Sequence, residues 1–255
     1  MDIYGEFAAI YDGFINAPYK AWAQYIEEIW QAHKISPPVE GCQKGRAVLD
    51  LACGTGSLTH ILAKKGYDMI GIDASAEMLS IARQKGDANG QILFLQQDMR
   101  EFELYGTVDA IICICDGINY LTDPADLAHV FALVRNYLNP GGLFVFDINS
   151  EHKYENILAD NTFAHTDETA AYIWENFYDA DERINEYHMT FFVQGDGEIY
   201  RRFEETHIQR AWGEEEIKSA LVGADLEYLA CYGELTLDAP RPDDERVFFV
   251  ARRNG

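Results

Sequence analysis

Hydrophobic positions along the chain follow two periodicities in turn. Trp22, Tyr25, Ile26, Ile29 and Trp30 recur at helical spacing, and Pro37-Pro38 and Gly41 then break the pattern. From Arg46 the pattern alternates. Short apolar runs at Ala47–Leu51, Met69–Ile72, Ile92–Leu95, Val108–Ile114 and Leu143–Phe146 read as strands. Helical spacing fills the intervals at 57–65, 76–84 and 124–138. Gly66 closes the first of these helices, and Asp123-Pro124 opens the third with a capping carboxylate and a pre-set first turn. Asn139-Pro140-Gly141-Gly142 ends that helix. Fully apolar strands alternating with helices predict a parallel sheet covered on both faces.

The rhythm changes after Asp147. Residues 172–178, 187–193 and 199–203 are rich in aromatic and β-branched side chains. Asp179-Ala180-Asp181 and Gly195-Asp196-Gly197 separate them as turns, so antiparallel hairpins are expected between 162 and 211. A helix over 214–221, with acids in its first turn, and strands at 226–232 and 247–252 complete the chain. The pattern predicts an α/β chain with a doubly wound, mostly parallel seven-stranded sheet and an antiparallel, β-rich insertion after strand five. Residues 1–40 form a helical lead-in, 41–150 with 212–255 the core, and 151–211 the insertion. No internal repeat interrupts this organisation.

Charge narrows the function classes. The 255 residues carry 20 Lys and Arg against 43 Asp and Glu, a net charge of −23. Such a surface repels phosphate backbones and anionic lipids, so neither nucleic acid nor membrane is an expected partner. No apolar run approaches the roughly 20 residues that span a bilayer, and the first residues lack a signal-peptide pattern, so a cytoplasmic location is expected. The five cysteines show no CxxC spacing, which predicts neither a disulfide framework nor a metal site. Cys113 and Cys115 are expected on one face of strand four as small apolar residues.

In an open parallel sheet, ligands bind beyond the carboxyl ends of the strands. Three acids lie there. Asp50 precedes Leu51-Ala52-Cys53-Gly54-Thr55-Gly56, where glycines permit a tight turn and close backbone approach. Asp73 ends strand two, where a carboxylate can accept both hydroxyls of a ribose or cap the following helix. Asp98 follows strand three in Gln97-Asp98-Met99, placed to accept from an adenine amine while the Met99 N–H meets a ring nitrogen, or to serve as a plain loop acid. Thr59 stands where a dinucleotide fingerprint would carry its third glycine. The array describes an adenosine pocket without a dedicated diphosphate grip.

These segments resemble the motifs of class I S-adenosylmethionine-dependent methyltransferases. Val48-Leu49-Asp50-Leu51-Ala52-Cys53-Gly54-Thr55-Gly56 resembles their first motif, with Cys53 where many members have glycine. Ile72-Asp73-Ala74-Ser75-Ala76-Glu77-Met78-Leu79 resembles the second and Gln97-Asp98-Met99 the third. Phe7-Ala8-Ala9-Ile10-Tyr11-Asp12 is similar to the N-terminal segment of the small-molecule N-methyltransferases, including amino-sugar enzymes. The resemblance implies a Rossmann-like sheet and S-adenosyl-L-methionine as cofactor. It implies that Asp50 and the Cys115 carbonyl hold the methionine ammonium. By the same likeness, Ala52 and Gly54 touch the methionine moiety, Asp73 the ribose, and Asp98 with Met99 the adenine. Tyr11 covers the cofactor and faces the methyl, or makes only an apolar contact.

Methyl transfer needs alignment and water exclusion, with a base only where the nucleophile still holds its proton. Asp116, Asn119 and Tyr120 near the end of strand four are candidate bases or orienters, or else a structural turn built on an Asn–backbone bond. Glu205 and His207 share one face of the last insertion strand, where the carboxylate can orient the imidazole, unless the pair is a surface salt link. The catalytic candidates are therefore Tyr11, Asp116 and His207. The expected function is methyl transfer to nitrogen or oxygen of a small molecule, by a monomer or homodimer. The competing readings are a methyltransferase acting on RNA or protein, a nucleotide-binding dehydrogenase, and a non-catalytic adenosine-binding module. The insertion either roofs the pocket or mediates dimer contacts.

Overall fold

The computed structural model describes residues 8, 10–14, 17–35, 45–86, 92–195 and 199–255. The break at Pro37-Pro38 and Gly41, Cys42, the Asp196-Gly197 turn, and Phe7 and Ala9 of the lead-in motif lie outside the described residues.

The lead-in comprises helices α1 (Tyr11–Phe14) and α2 (Tyr19–Ala32). The alternating core follows as β1 (Ala47–Leu51), α3 (Ser57–Lys64), β2 (Asp68–Asp73), α4 (Ala76–Gln84), β3 (Leu93–Gln96) and β4 (Val108–Cys113). A 3-10 turn (Gly117–Tyr120), α5 (Pro124–Tyr137) and β5 (Leu138–Asn149) complete it. After the insertion come α6 (Glu214–Gly223), β10 (Leu226–Gly233) and β11 (Arg246–Arg253). The sheet has seven strands in the order β10-β11-β5-β4-β1-β2-β3. Its first five strands run parallel, and β11 pairs antiparallel with both β5 and β10.

Each face of the sheet buries its own apolar cluster. One face packs Leu49, Ile111, Phe144 and Phe146 against Phe131 and Val134 of α5 and Ile217 of α6. The other packs Val48, Ile112, Val145 and Phe248 against Trp22, Ile26 and Ile29 of α2 and Leu58 and Leu62 of α3. Burial on both faces explains why these strands carry no polar alternation. The α5 start is as expected: Asp123 Oδ1 accepts from the Ala125 N–H at 2.8 Å, with Pro124 in the first turn. No helix among the described residues is long and apolar enough to cross a membrane.

The insertion is a separate four-stranded antiparallel sheet, β6 (Thr162–Thr166), β7 (Ala170–Asp179), β8 (Ile184–Gln194) and β9 (Tyr200–Arg210), in sequential order. A π-helical turn (Lys153–Leu158) connects it to β5. Its inner face meets the lead-in: Phe14 packs edge-on to Tyr172 with ring centroids 5.2 Å apart, and Phe191 joins a cluster with Tyr11 and Met78. At the other end Tyr154, Tyr187 and Ala211 form a second contact zone. The first contact ties the insertion to the lead-in, the second is internal to it, and Asn119 Nδ2 ties it to the core by donating to the Arg210 carbonyl.

Candidate active site

A cleft of about 870 Å³ opens at the carboxyl ends of β1 to β4. It is floored by the turn after β1. Ala52, Gly54 and Gly56 there all have left-handed backbone, with φ of 58°, 55° and 68°. Glycine accepts this conformation without a Cβ clash, so two of the three residues that bend the chain into α3 are the cheap ones. Asp50, at the base of this turn, is buried, and Thr59 Oγ1 donates to its Oδ2 at 2.5 Å. Thr59, at the position of the absent third glycine, is thus the hydroxyl that holds Asp50. Burial pushes the Asp50 carboxyl up to about 7; the Thr59 bond opposes this and the neighbouring Asp73 charge adds to it.

Asp73 joins two pieces of backbone. Its Oδ2 accepts the Gly54 N–H and its Oδ1 the Ser75 N–H, both at 2.8 Å. The cap of α4 is Ser75, whose side chain accepts from the Met78 N–H at 3.1 Å. Asp73 therefore braces the glycine turn and the helix entry, and it lines the cleft without being the helix cap. Burial raises its carboxyl, against both backbone bonds.

Asp98 and Met99 also line the cleft. Asp98 is held by the Arg100 guanidinium, with Nη2 to Oδ2 at 2.5 Å and Nε to Oδ1 at 3.0 Å. That side-chain bond keeps its carboxyl below the usual range. Arg100 Nη1 also lies 3.6 Å from Asp126, so the cleft's arginine is engaged by two acids.

The chain beyond β4 departs from expectation. Strand β4 ends at Cys113, and Cys115 and Asp116 take left-handed conformations with φ of 79° and 54°. Cys115 is therefore not on the strand face of Cys113; it forms part of the cleft wall. Each of its two successive left-handed residues costs on the order of 1–2 kcal/mol. Asp147 of β5 offsets this by accepting the Cys115 N–H at 2.7 Å on Oδ1 and the Asp116 N–H at 3.1 Å on Oδ2.

Asp116, a candidate base, is bound into the scaffold on both carboxylate oxygens. Arg246 Nη2 donates to Oδ1 at 2.9 Å and Gln209 Nε2 to Oδ2 at 2.7 Å, and its side chain is not part of the cleft wall. Burial alone would raise its carboxyl, but Arg246, Lys153 and the Gln209 bond bring it below the usual range, the wrong direction for a base. Asn119 follows the structural reading. Its Oδ1 accepts the Asn149 N–H at 3.0 Å and its Nδ2 donates to the Arg210 carbonyl at 2.8 Å.

The lead-in forms one wall. Tyr11 and Tyr19 line the cleft, and the Tyr11 hydroxyl lies 3.9 Å from Cys115 Sγ. Burial raises the Tyr11 phenol well above its ordinary value, so it acts as a neutral hydroxyl. Helix α1 is fastened to the glycine turn: Asp12 Oδ1 accepts from Thr55 Oγ1 at 2.7 Å, and Asp12 Oδ2 is 2.5 Å from Lys85 Nζ.

His207 lies off the cleft wall. On β9 the cleft is lined by Thr206 and Ile208, whereas His207 lies on the opposite, inner face. It is buried with Glu205 at 3.3 Å rather than forming a surface link. It reaches the cleft through Tyr120, whose hydroxyl is 3.1 Å from Nδ1. Trp22 is likewise buried, its Nε1 donating to Glu234 at 2.9 Å. The reading of residues along the chain gave no role to Thr59, Tyr19, Asp147, Gln209 or Arg246. The one available signal was a charge at each end of an apolar strand: Asp147 after Phe146, and Arg246 before Val247.

The arrangement is a Rossmann-like sheet with a cleft at the carboxyl ends of its strands, and comparison with known proteins identifies its family. Residues 48–142 match a family model described as a methyltransferase domain. The Bacillus subtilis (strain 168) protein YqeM, which bears a methyltransferase name, is 41% identical over 254 residues, spanning 99% of this chain and 98% of its own. The chain belongs to the class I S-adenosylmethionine-dependent methyltransferase superfamily. A crystal structure of an S-adenosylmethionine-dependent methyltransferase from Clostridium acetobutylicum ATCC 824 superposes with a TM-score of 0.86 at 34% identity, covering 99% of each chain. The dTDP-3-amino-3,4,6-trideoxy-α-D-glucopyranose N,N-dimethyltransferase of Streptomyces venezuelae is 26% identical over 229 residues, 88% of this chain and 92% of that one. This methyltransferase is an enzyme whose cofactor is S-adenosyl-L-methionine, and its fold is the Rossmann-like sheet with an antiparallel insertion.

Proposed function

We propose that this methyltransferase modifies nitrogen or oxygen of a small-molecule acceptor, held between the cofactor, the lead-in and the insertion. The observation that carries the reading is the enclosure of the cleft: Tyr11 and Tyr19 from the lead-in, Tyr120 from the core, and Thr206 with Ile208 from the insertion all line one space. The packing of Phe14 on Tyr172 supports a roof rather than a detached dimerisation element. S-adenosylmethionine supplies an electrophilic methyl on a good leaving group.

The residues fit that cofactor. Asp50 is a buried carboxylate with one hydrogen bond to its side chain among the described residues, suited to a methionine ammonium, with the Cys115 carbonyl as its second contact. Asp73 keeps acceptor capacity for ribose hydroxyls, and Asp98 with the Met99 N–H suits an adenine edge once Arg100 yields. Asp116 and His207 act as positioning groups, the first through backbone geometry and the second through Tyr120. Water exclusion and alignment fall to the tyrosine wall. A net charge of −23 attracts cationic acceptors and repels RNA.

Incubation with methyl-labelled cofactor tests this directly. Label is expected in amines or hydroxylated small molecules, and transfer to total RNA or to protein instead overturns the reading.

A pH profile tests the role of Asp50. With its carboxyl at about 7, the group is neutral at pH 6 and ionised at pH 8. Only the ionised form attracts an ammonium. Affinity for S-adenosylhomocysteine should therefore rise about tenfold from pH 6 to pH 8, with proton release on binding at the acid end. Calorimetry in buffers of different ionisation heat reads both quantities, and a flat profile removes Asp50 from the ammonium site.

A further inference from the structure

We infer that Asp147 and Arg246 are the positioning pair for the methionine end of the cofactor site, acting by fixing the left-handed turn at Cys115–Asp116. This rests on the assignment of the cofactor to this cleft. The turn brings the end of β4 into the cleft wall, and two consecutive residues with side chains adopt a conformation that favours glycine. Both of their N–H groups point at one carboxylate, one on each oxygen of Asp147. No neutral side chain of that size replaces it, since asparagine offers one acceptor and one donor where two acceptors are required.

Arg246 makes that carboxylate tolerable in the interior. Asp147 is fully buried, and the Arg246 guanidinium donates to its Oδ2 through Nη1 while Nη2 donates to Asp116. The strand register puts the groups together. Arg246 opens β11 opposite Asn149, and Asp147 lies two residues back on β5, on the same face. One forked cation thus spans the acid that holds the turn and the acid within the turn, which a lysine with a single ammonium cannot match.

The pair also connects to the lead-in directly and to the insertion through Asp116. The guanidinium lies 5.2 Å from the centre of the Trp22 ring on α2. Asp116 receives Gln209 of β9, whose Oε1 accepts the Tyr154 hydroxyl at 2.7 Å and the Tyr187 hydroxyl at 2.5 Å. Lead-in, insertion and cofactor turn therefore converge on a single buried cation.

The test combines amide hydrogen exchange with S-adenosylhomocysteine titration on the full chain. In Asp147→Asn the Cys115 and Asp116 amides should exchange at least about a hundredfold faster, and affinity should fall about thirtyfold, while Cys113 stays protected. Arg246→Lys, a milder change that serves if Asp147→Asn does not fold, should move both readouts in the same direction by about tenfold. Val130→Ala, in the core of α5, should lower the melting temperature and leave both readouts within about threefold of the parent. Folded Asp147 and Arg246 variants with parental exchange and affinity overturn the inference. Affinity lost equally in Val130→Ala also overturns it, because the effect is then one of general stability. If the parent itself fails to bind S-adenosylhomocysteine, the cofactor assignment to this cleft falls, while the exchange arm still decides whether the pair fixes the turn.

Discussion

Replacing Asp50 by asparagine should make the ligand-free protein more stable and the enzyme inactive. Asp50 is buried at the base of the glycine turn with its carboxyl at about 7. An unfolded aspartate titrates near 4, so the folded, ligand-free protein binds the extra proton between those values. The group's contribution to stability accordingly declines as pH rises from about 4 to 7, and above 7 an ionised carboxylate sits in an apolar surrounding. Asparagine keeps the acceptor for Thr59 Oγ1 and carries no charge. A gain of about 1–2 kcal/mol at pH 8 is expected, seen as a melting temperature about 2–6 °C higher. The same change removes the anion proposed to face the methionine ammonium. Affinity for S-adenosylhomocysteine should fall by about 2–3 kcal/mol, and the rise in affinity between pH 6 and pH 8 should disappear. Thermal melts and titrations at both pH values check these outcomes. A variant that is less stable and still binds with the parental pH profile would place the ammonium elsewhere.

That trade between stability and function bears on what was legible in the sequence. The two-faced sheet was readable because burial on both faces removes polar alternation, so β1, β2, β4 and the centre of β5 stand out as apolar runs. The ends of β5 were not. The strand extends from Leu138 to Asn149, and its last residues are Asp147, Ile148 and Asn149. Those polar residues belong to the strand because β11 pairs along them, because the Asp147 carboxylate accepts backbone N–H groups of the turn after β4, and because the Asn149 N–H donates to the Asn119 side chain of that segment. A charge inside a strand is unreadable until the partner that neutralises it, Arg246, is brought alongside by the fold. Strand β6 was missed for the opposite reason. Thr162–Thr166 is a mostly exposed edge strand, with no apolar stripe to announce it.

The cofactor side of the site was more legible than the acceptor side. Asp50, Asp73 and Asp98 lie at strand ends fixed by local pattern, and all three line the cleft. His207 and Asp116 depend on how the insertion sits on the core. Alternation along β9 placed Glu205 and His207 together, as observed, but not which face meets the cleft. The bond that spans the two units, from Gln209 to Asp116, and the Tyr154 and Tyr187 hydroxyls that orient Gln209 within the insertion have no local signature at all.

Asp73→Ala should have the second large effect, and a ligand cycle separates its two causes. Its carboxylate holds the Gly54 and Ser75 N–H groups at 2.8 Å and lines the cleft. Alanine leaves both donors without their acceptor and loosens the left-handed turn at Gly54. A loss of about 1–3 kcal/mol in stability is expected, with a melting temperature about 2–8 °C lower. Loss of the ribose acceptor should weaken S-adenosylhomocysteine by a further comparable amount, about 1–3 kcal/mol. Binding loss alone does not distinguish a lost ribose contact from a deformed turn. Comparison of S-adenosylhomocysteine with its 2′,3′-dideoxy analogue does. In the parent, removing the hydroxyls should weaken binding by about 1–3 kcal/mol, because Asp73 then has nothing to accept from. In Asp73→Ala the same removal should make little difference, since the acceptor is already gone, and the two losses should be strongly non-additive. If the dideoxy penalty is equal in parent and variant, Asp73 braces the turn without touching the ribose, and the hydroxyls are held by another group.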